Sequence, residues 1–295
     1  MKIVNIIGGV GNQMFQYAFA VVLKEKYPDE EVLVDPHLFR FPFVKKYKRN
    51  NFYHNGYEVS KVFPNAILPI ASGREMAKVT YYLPNYVLNR VLRRILPKRK
   101  YEYKQKNDYV FYPEVFSMKT DCYFEGYWQH YKYFEGMQDF LRNTFQFPMA
   151  NGENFEAAKV MRTVPSIGVH VRRGDYVGNK GFGDVCDLEY YQKAIQQISV
   201  IDETHFFVFS NDIAWCEEHL RPLMKNVTYV DWNKGKEGVW DMFLMSQCEQ
   251  LIIANSSFSW WGAYLNRRAK KIIAPKLWNR YIEDMHIQMP GWQLI

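Results

Sequence analysis

Four places in the 295-residue chain carry residue types able to handle an anion or a proton. In HVRRGDY, residues 170–176, two adjacent arginines close an apolar run, and neighbouring residues at a strand end point to opposite sides. One guanidinium therefore enters any site there, while the other braces the loop or pairs with Asp175. A planar guanidinium binds two oxygens at once and stays charged at any working pH, which suits a diphosphate. A purely structural Arg–Asp pair is the competing reading. In NSSFSWWGAYL, residues 255–265, Asn255 closes another run, and Ser256, Ser257 and Ser259 offer hydroxyls and helix-start N–H groups, again an anion site by geometry. Phe258, Trp260 and Trp261 can wall a flat ring, or simply pack a core. Ser210, Asn211 and Asp212 end a third run and Asp231 a fourth; a carboxylate there can accept two hydrogen bonds from guanine that adenine cannot donate.

A further candidate lies at the start of the chain. GGVGNQMFQYAFA, residues 8–20, follows the β-branched run Lys2 to Ile7, and helical spacing begins at Asn12. Gly8, Gly9 and Gly11 thus sit at a strand-to-helix turn, where free N–H groups and a helix dipole face outward. The dinucleotide pattern G-x-G-x-x-G fails, because Met14 stands at its third small position, although Asp35 imitates the ribose-binding acid. No Gly-Lys-Ser/Thr follows either. The loop is read either as a tight turn packing strand on helix or as a backbone surface for a ligand.

These candidates need a frame, and the second half of the chain supplies one. Apolar runs at residues 166–171, 204–210, 227–231, 250–255 and 270–275 alternate with helical stretches such as LEYYQKAIQQI, led by a cap at Asp187, and VWDMFLMSQC. Strand and helix in alternation form a parallel doubly wound sheet, whose ligands bind beyond the carboxyl ends of the strands. The first half opens the same way to Asp35. It then turns irregular, Tyr- and Pro-rich and basic to about residue 115, before DCYFEGYWQ and a helical stretch over 131–146. The loose segment QFPMANGEN, residues 146–154, divides an expected first domain, 1–150, from a second, 151–295.

Composition narrows the class. Hydrophobic content of 48% and charged content of 23% are those of a globular protein, and 17% aromatic residues implies rings in cores as well as in sites. Cys122, Cys186, Cys216 and Cys248 form no C-x-x-C pair, so neither a zinc site nor a secreted disulfide framework is expected. No leader and no membrane-spanning run is read, and a cytoplasmic location is expected. The net charge of +7 points to an anionic partner. Much basic charge lies in residues 87–106, where Arg90, Arg93, Arg94, Lys98, Arg99, Lys100, Lys104 and Lys106 accompany Val87, Leu88, Val91, Leu92, Ile95 and Leu96. This is a basic amphipathic helix ending at Pro97. Packing on its own domain with a solvated basic face is the first expectation, and peripheral contact with an anionic membrane the second. Nucleic acid is not expected, since no recognition motif accompanies the charge.

The motifs GGVGNQMFQYAFA, HVRRGDY, VCDLEYYQKAI, VFSNDIAWC and DMFLMSQCEQLIIANSSFSWWGAYL together resemble the bacterial α-1,2-fucosyltransferases, glycosyltransferase family 11-like, in that family's order. The resemblance touches both halves and is dense from 166 to 275. It implies an α/β, GT-B-like fold of two Rossmann-like domains facing a central cleft: an acceptor-side first domain and a GDP-fucose-binding second. It implies inverting transfer of L-fucose from GDP-β-L-fucose to the 2-hydroxyl of a terminal galactose, on an oligosaccharide or lipid-linked glycan. It also implies no cofactor and no metal, and the chain carries no D-x-D motif. Carried over, Arg172 serves the donor's β-phosphate, Ser256, Ser257 and Phe258 line the nucleotide site, and His170 and Asp231 lie near guanine. Ser210, Asp212 and Asn255 complete the expected donor site. Gly9, Gly11, Asn12 and Gln13 line the first domain's side, with the Asn12 and Gln13 amides against the donor. Some relatives place an acid five residues after the motif's Asp, where this chain has Lys180. Asp184 and Asp175 are the candidate bases, and a dissociative transition state needing none is the alternative.

Three rival readings remain. A nicotinamide oxidoreductase fails on Met14. A non-catalytic carbohydrate- or anion-binding protein accounts for rings and charge but not for two Rossmann-like halves. A fucosyltransferase of another linkage is the third alternative.

Overall fold

The computed structural model describes residues 1–40, 55–97, 99–282 and 286–295. The chain divides into two compact units, the first ending at Gln146 and the second running from Phe147 to Ile295.

The first unit is built on a four-stranded sheet. Its strands are β1 (Lys2–Asn5), β2 (Val32–Asp35), β3 (Glu102–Lys104) and β4 (Cys122–Glu125), in the order β2-β1-β4-β3, all parallel. Period-two alternation sends Ile3, Leu33 and Tyr123 to one face, against Met76 and Val79 of helix α3 (Gly73–Val79). The opposite face meets α1 (Val10–Lys26), whose Met14, Phe15, Phe19 and Leu23 are fully buried. Rings dominate that core. Phe19 stacks on Trp128 with centroids 4.0 Å apart and meets Phe124 and Tyr133 edge-on. Between β2 and β3 lie α2 (Val59–Val62), α3 and α4 (Tyr86–Ile95); α5 (Gln138–Thr144) closes the unit. The expected continuous helix over 131–146 is instead a 3-10 turn at Tyr131–Phe134 followed by α5, with Gly136 at φ +82 between them.

The second unit is a six-stranded, fully parallel sheet. Its strands are β5 (Ser166–Val171), β6 (His205–Ser210), β7 (Asn226–Val230), β8 (Gln250–Ile252), β9 (Lys271–Ala274) and β10 (Gln293–Leu294), in the order β10-β9-β8-β5-β6-β7. Ile167, Val169 and Val171 of β5, with Phe206 and Val208 of β6, face α7 (Leu188–Gln197) and α8 (Ile213–Leu220). Phe207 and Phe209 face the other layer, made by α6 (Gly152–Thr163), α9 (Val239–Met245) and α10 (Ser257–Leu265). Asp187 caps α7 as expected, its Oδ1 accepting the Tyr190 N–H at 2.9 Å. The chain winds outward from β5 through β6 to β7, then returns to place β8 on β5's other side. The order therefore reverses between β5 and β8, and the loops leaving these two strands part to make a crevice at their carboxyl ends.

Candidate active site

Both principal motifs of the second unit leave the strands that flank this reversal point. HVRRGDY closes β5 and NSSFSWW follows β8. His170 lies on the face of β5 opposite Val169 and Val171, and its ring stacks on Phe258 of α10 with centroids 5.6 Å apart. The imidazole is buried and its Nδ1 has no hydrogen-bond partner among the described residues. Burial, and then the nearby Arg172 cation, push its pKa down to about 3, so the ring is neutral at any physiological pH.

The two arginines part company immediately. Arg172 donates from Nη2 to Asp175 Oδ1 at 2.6 Å, and its guanidinium lies 5.6 Å from the Tyr176 ring. Its side chain keeps 30% exposure, with further N–H donors available to an oxyanion. Arg173 is bound up in structure: its Nε donates to Asp212 Oδ2 at 3.0 Å, and its guanidinium sits 4.3 Å over the Trp215 ring. The pairing expected of Asp175 thus falls to Arg172, the more weakly braced arginine, rather than to its neighbour. The cause is local, because the 3-10 turn Gly174–Tyr176 folds residue 175 back over residue 172. Gly174 makes that turn possible at φ +37, and a Cβ on it would stand 2.1 Å from Asn211 Nδ2. Asn211 Oδ1 in turn accepts the Arg173 N–H at 2.9 Å.

The remaining expected residues divide by what already occupies them. Ser256 caps α10, its Oγ accepting the Phe258 N–H at 3.3 Å, and Ser257 is the first helical residue, so the positive end of the α10 dipole opens beside Arg172's strand. Asn255 is a brace: its Nδ2 donates to Phe182 O at 3.1 Å and Trp278 O at 3.0 Å. Ser210 Oγ accepts the Asp212 N–H at 2.9 Å, while Asp212 caps α8 and pairs with Arg173. Asp212 and Ser210 therefore hold the loop that holds Arg173. Asp231 is exposed beyond the edge strand β7.

The two candidate bases differ in setting. Asp175 already holds Arg172. Asp184 lies at φ +55, its side chain 80% exposed, with Arg280 Nη1 at 3.7 Å.

A group that pattern reading missed is Asp241 on α9. It is partly buried, and Asn233 Nδ2 donates to its Oδ1 at 2.9 Å, within a polar cluster that includes Asn154 and the Trp232 indole N–H. Desolvation pushes its pKa up to about 7 despite the Asn233 hydrogen bond. In VWDMFLM the acid reads as the polar position of an amphipathic helix, so only its surroundings reveal it. Tyr176, unassigned within HVRRGDY, donates its hydroxyl to Asn255 O at 3.2 Å and so ties the β5 loop to the β8 loop.

In the first unit the glycine turn is confirmed as a strand-to-helix junction, with Gly8 at φ +81 and Gly9 as the N-cap of α1. The helix starts at Val10, two residues before the expected Asn12, so Gly11 lies in its first turn. The Gln13 N–H donates to Gly9 O at 3.0 Å, which corrects the expectation that this amide faces a ligand. The Gln13 side chain is fully buried: Nε2 donates to Gly8 O and Gly56 O at 2.9 and 2.8 Å, and Oε1 accepts the Glu58 N–H at 2.8 Å. Asn12 Oδ1 accepts from Gln129 Nε2 at 2.7 Å. Asp35 is equally committed, to His37 Nδ1 at 2.5 Å and the Tyr123 hydroxyl at 2.7 Å. Burial alone would raise its pKa, but these hydrogen bonds hold it below the ordinary carboxylate value. It is an internal anchor, not a ribose-binding acid.

The whole chain, residues 1–295, matches the model of glycosyl transferase family 11. The chain belongs to that family. An alpha-1,2-colitosyltransferase of Escherichia coli is 32% identical to it over 285 residues, covering 94% of this chain and 91% of that protein. The O-antigen biosynthesis glycosyltransferase WbnK of Escherichia coli is 29% identical over 304 residues, 97% of each. Galactoside alpha-(1,2)-fucosyltransferase 2 of Rattus norvegicus is 37% identical over 105 residues, 34% of this chain and 29% of that one. Among solved structures, NodZ alpha-1,6-fucosyltransferase co-crystallized with GDP superposes with a TM-score of 0.50 at 15% identity, over 92% of this chain and 93% of that one. The family-11 chain is thus a glycosyltransferase of GT-B fold.

Proposed function

We propose that this glycosyltransferase moves L-fucose from GDP-β-L-fucose to the 2-hydroxyl of a terminal galactose, with inversion and without a metal. The observation that carries the reading is Arg172. It is a partly exposed guanidinium at the β5–β8 reversal point, steadied by one carboxylate and set in the loop of a strand neighbouring the one that leads into α10. As the C1–O bond breaks, negative charge grows on the departing GDP and positive charge on the sugar ring. A fixed cation and a helix start, preorganised in a water-poor site, stabilise that leaving group as a divalent metal would. Asp175 keeps Arg172 aimed, and Arg173, locked on Asp212 and Trp215, keeps the loop from moving.

Guanine recognition falls to neutral His170 and to Asp241 rather than to the exposed Asp231. His170 Nδ1 lacks a partner among the described residues, and Asn233 Nδ2 donates to one oxygen of Asp241, Oδ1. The Asp241 carboxylate would accept guanine's N1–H and amino group. With Asp175 and Asp184 both unsuited to proton abstraction, the acceptor hydroxyl keeps its proton until late in a dissociative transition state. The domain roles follow: residues 151–295 bind the donor and the first unit serves the acceptor.

A second reading concerns the donor sugar alone. The 32% identity to a colitosyltransferase over nearly the full chain favours GDP-colitose, whose sugar has one hydroxyl fewer than fucose. The purified protein, incubated with lactose, a chelator and either GDP-fucose or GDP-colitose, distinguishes them. Fucosyl-lactose formed with chelator present supports the first reading; product from GDP-colitose alone replaces it with the second, and no turnover or binding of either ends both.

A further inference from the structure

The basic helix of the first unit is mounted the opposite way round from the sequence expectation. In α4 the Arg93 side chain turns inward, its guanidinium 4.6 Å over the Tyr123 ring and its Nη2 3.0 Å from Glu125 Oε2, both on β4. At about 100° per residue, Leu88, Val91 and Ile95 fall on the side away from Arg93. They are 56%, 47% and 74% exposed. Side chains of Val87 and Arg90, and Lys98 as a whole, lie outside the described residues. An aliphatic ridge therefore faces out where a solvated basic face was expected, and three large apolar side chains on one helix face are not ordinary surface composition.

The charge around the ridge says what it fits. Residues 86–106 contain eight of the chain's 38 basic residues and one of its 31 acidic ones, Glu102. The whole formal excess of +7 resides in these 21 positions, and the rest of the chain is balanced. Arg94, flanking the ridge, and Lys100 and Lys106 beyond it are exposed. The helix has ten residues and no described helix is long and apolar enough to cross a membrane. A short helix with aliphatic residues on its outer face and cations alongside lies in the plane of a bilayer interface, its apolar ridge among the acyl chains and its cations among anionic headgroups.

We infer that α4 and the basic segment after it dock the enzyme on the surface of an anionic lipid bilayer, through Leu88, Val91 and Ile95 with Arg94, Lys100 and Lys106. The transferase would then work on glycans held at a membrane surface. The inference does not depend on which sugar is transferred.

Cosedimentation with vesicles tests it, comparing phosphatidylglycerol mixed into phosphatidylcholine against phosphatidylcholine alone. The protein is expected to bind the anionic vesicles, more weakly as salt rises. Leu88→Ser with Val91→Ser and Ile95→Ser should lower that binding about tenfold or more. Arg94→Gln, Lys100→Gln and Lys106→Gln should each lower it roughly fivefold. Thermal unfolding confirms that each variant folds. The inference is overturned if the wild-type protein ignores anionic vesicles, if it binds both vesicle types equally, or if the triple serine variant binds as well as wild type. It is also overturned if the ridge instead supports self-association, seen as a dimer by size exclusion that the serine variant abolishes while vesicle binding is absent.

Discussion

Arg172 Nη2 stands 2.6 Å from Asp175 Oδ1, while the next residue, Arg173, reaches Asp212 Oδ2 at 3.0 Å on a different loop. One dipeptide thus supplies Arg173, locked into the architecture, and Arg172, the cation proposed for the chemistry, each with its own carboxylate. Asp175→Asn keeps the shape but weakens the hold on Arg172. Its kcat should fall roughly 10- to 100-fold, the scale of a small misplacement at a reacting centre, with little change in the unfolding temperature. Steady-state kinetics beside a melting curve check this; an unchanged kcat would mean Arg172 needs no such support.

His170 makes stability depend on pH in a calculable sense. Its folded pKa, about 3, lies below the unfolded value of about 6.5, so the unfolded chain binds the extra proton. Its contribution is complete above about pH 6.5 and is lost as pH falls toward 3. Between about pH 7 and pH 5 the wild type should lose about 2 kcal/mol relative to His170→Gln, measured by urea unfolding at each pH. Asp241, raised rather than lowered, acts in the opposite direction over the same window, so the difference between wild type and variant is the quantity to read.

Asp241 should make nucleotide binding pH-dependent as well. If its carboxylate accepts guanine's donors, GDP binds the ionised form, and affinity should fall as pH drops below about 7, approaching tenfold per pH unit. Titration calorimetry of GDP across that range, on wild type and Asp241→Asn, checks it. The variant should bind GDP more weakly with a flat profile, whereas Asp231→Asn should behave as wild type; the reverse pattern would return guanine recognition to Asp231.

Gln13 should prove a stability residue. Gln13→Leu strands the Gly8 and Gly56 carbonyls and the Glu58 N–H in the interior of the first unit. A loss of about 2–4 kcal/mol in unfolding free energy is expected, since buried groups without partners cost more than the bonds were worth. Urea denaturation measures it.

The strands of the second unit were legible because each is a continuous apolar run at least as long as the strand it becomes, from 166–171 to 270–275, with helical spacing between. β10, only two residues long, has no such signature. The anion-binding types at the ends of β5 and β8 were legible too, because a parallel sheet gathers its loops at one edge. What sequence could not separate was ligand contact from internal bracing. Asn255, Asp212 and Gln13 are the polar residues a binding site would use, yet the side chain of each is engaged by partners between 3 and 73 residues away, at distances no local pattern encodes. The mounting of α4 was hidden for the same reason. Periodicity gives a helix its two faces, but Tyr123 and Glu125, some thirty residues on from Arg93, choose which one turns inward.

If Arg172 carries the charge of the departing diphosphate, lysine in its place should not suffice. Arg172→Lys keeps a positive charge and loses the two-pronged geometry that diphosphate oxygens require. In the fucosyl-transfer assay with chelator present, the account predicts that kcat/KM for GDP-fucose falls by about three orders of magnitude or more, in a protein that still melts as a folded domain. Turnover within a few-fold of wild type would contradict it and move the leaving-group site away from the β5–β8 reversal point.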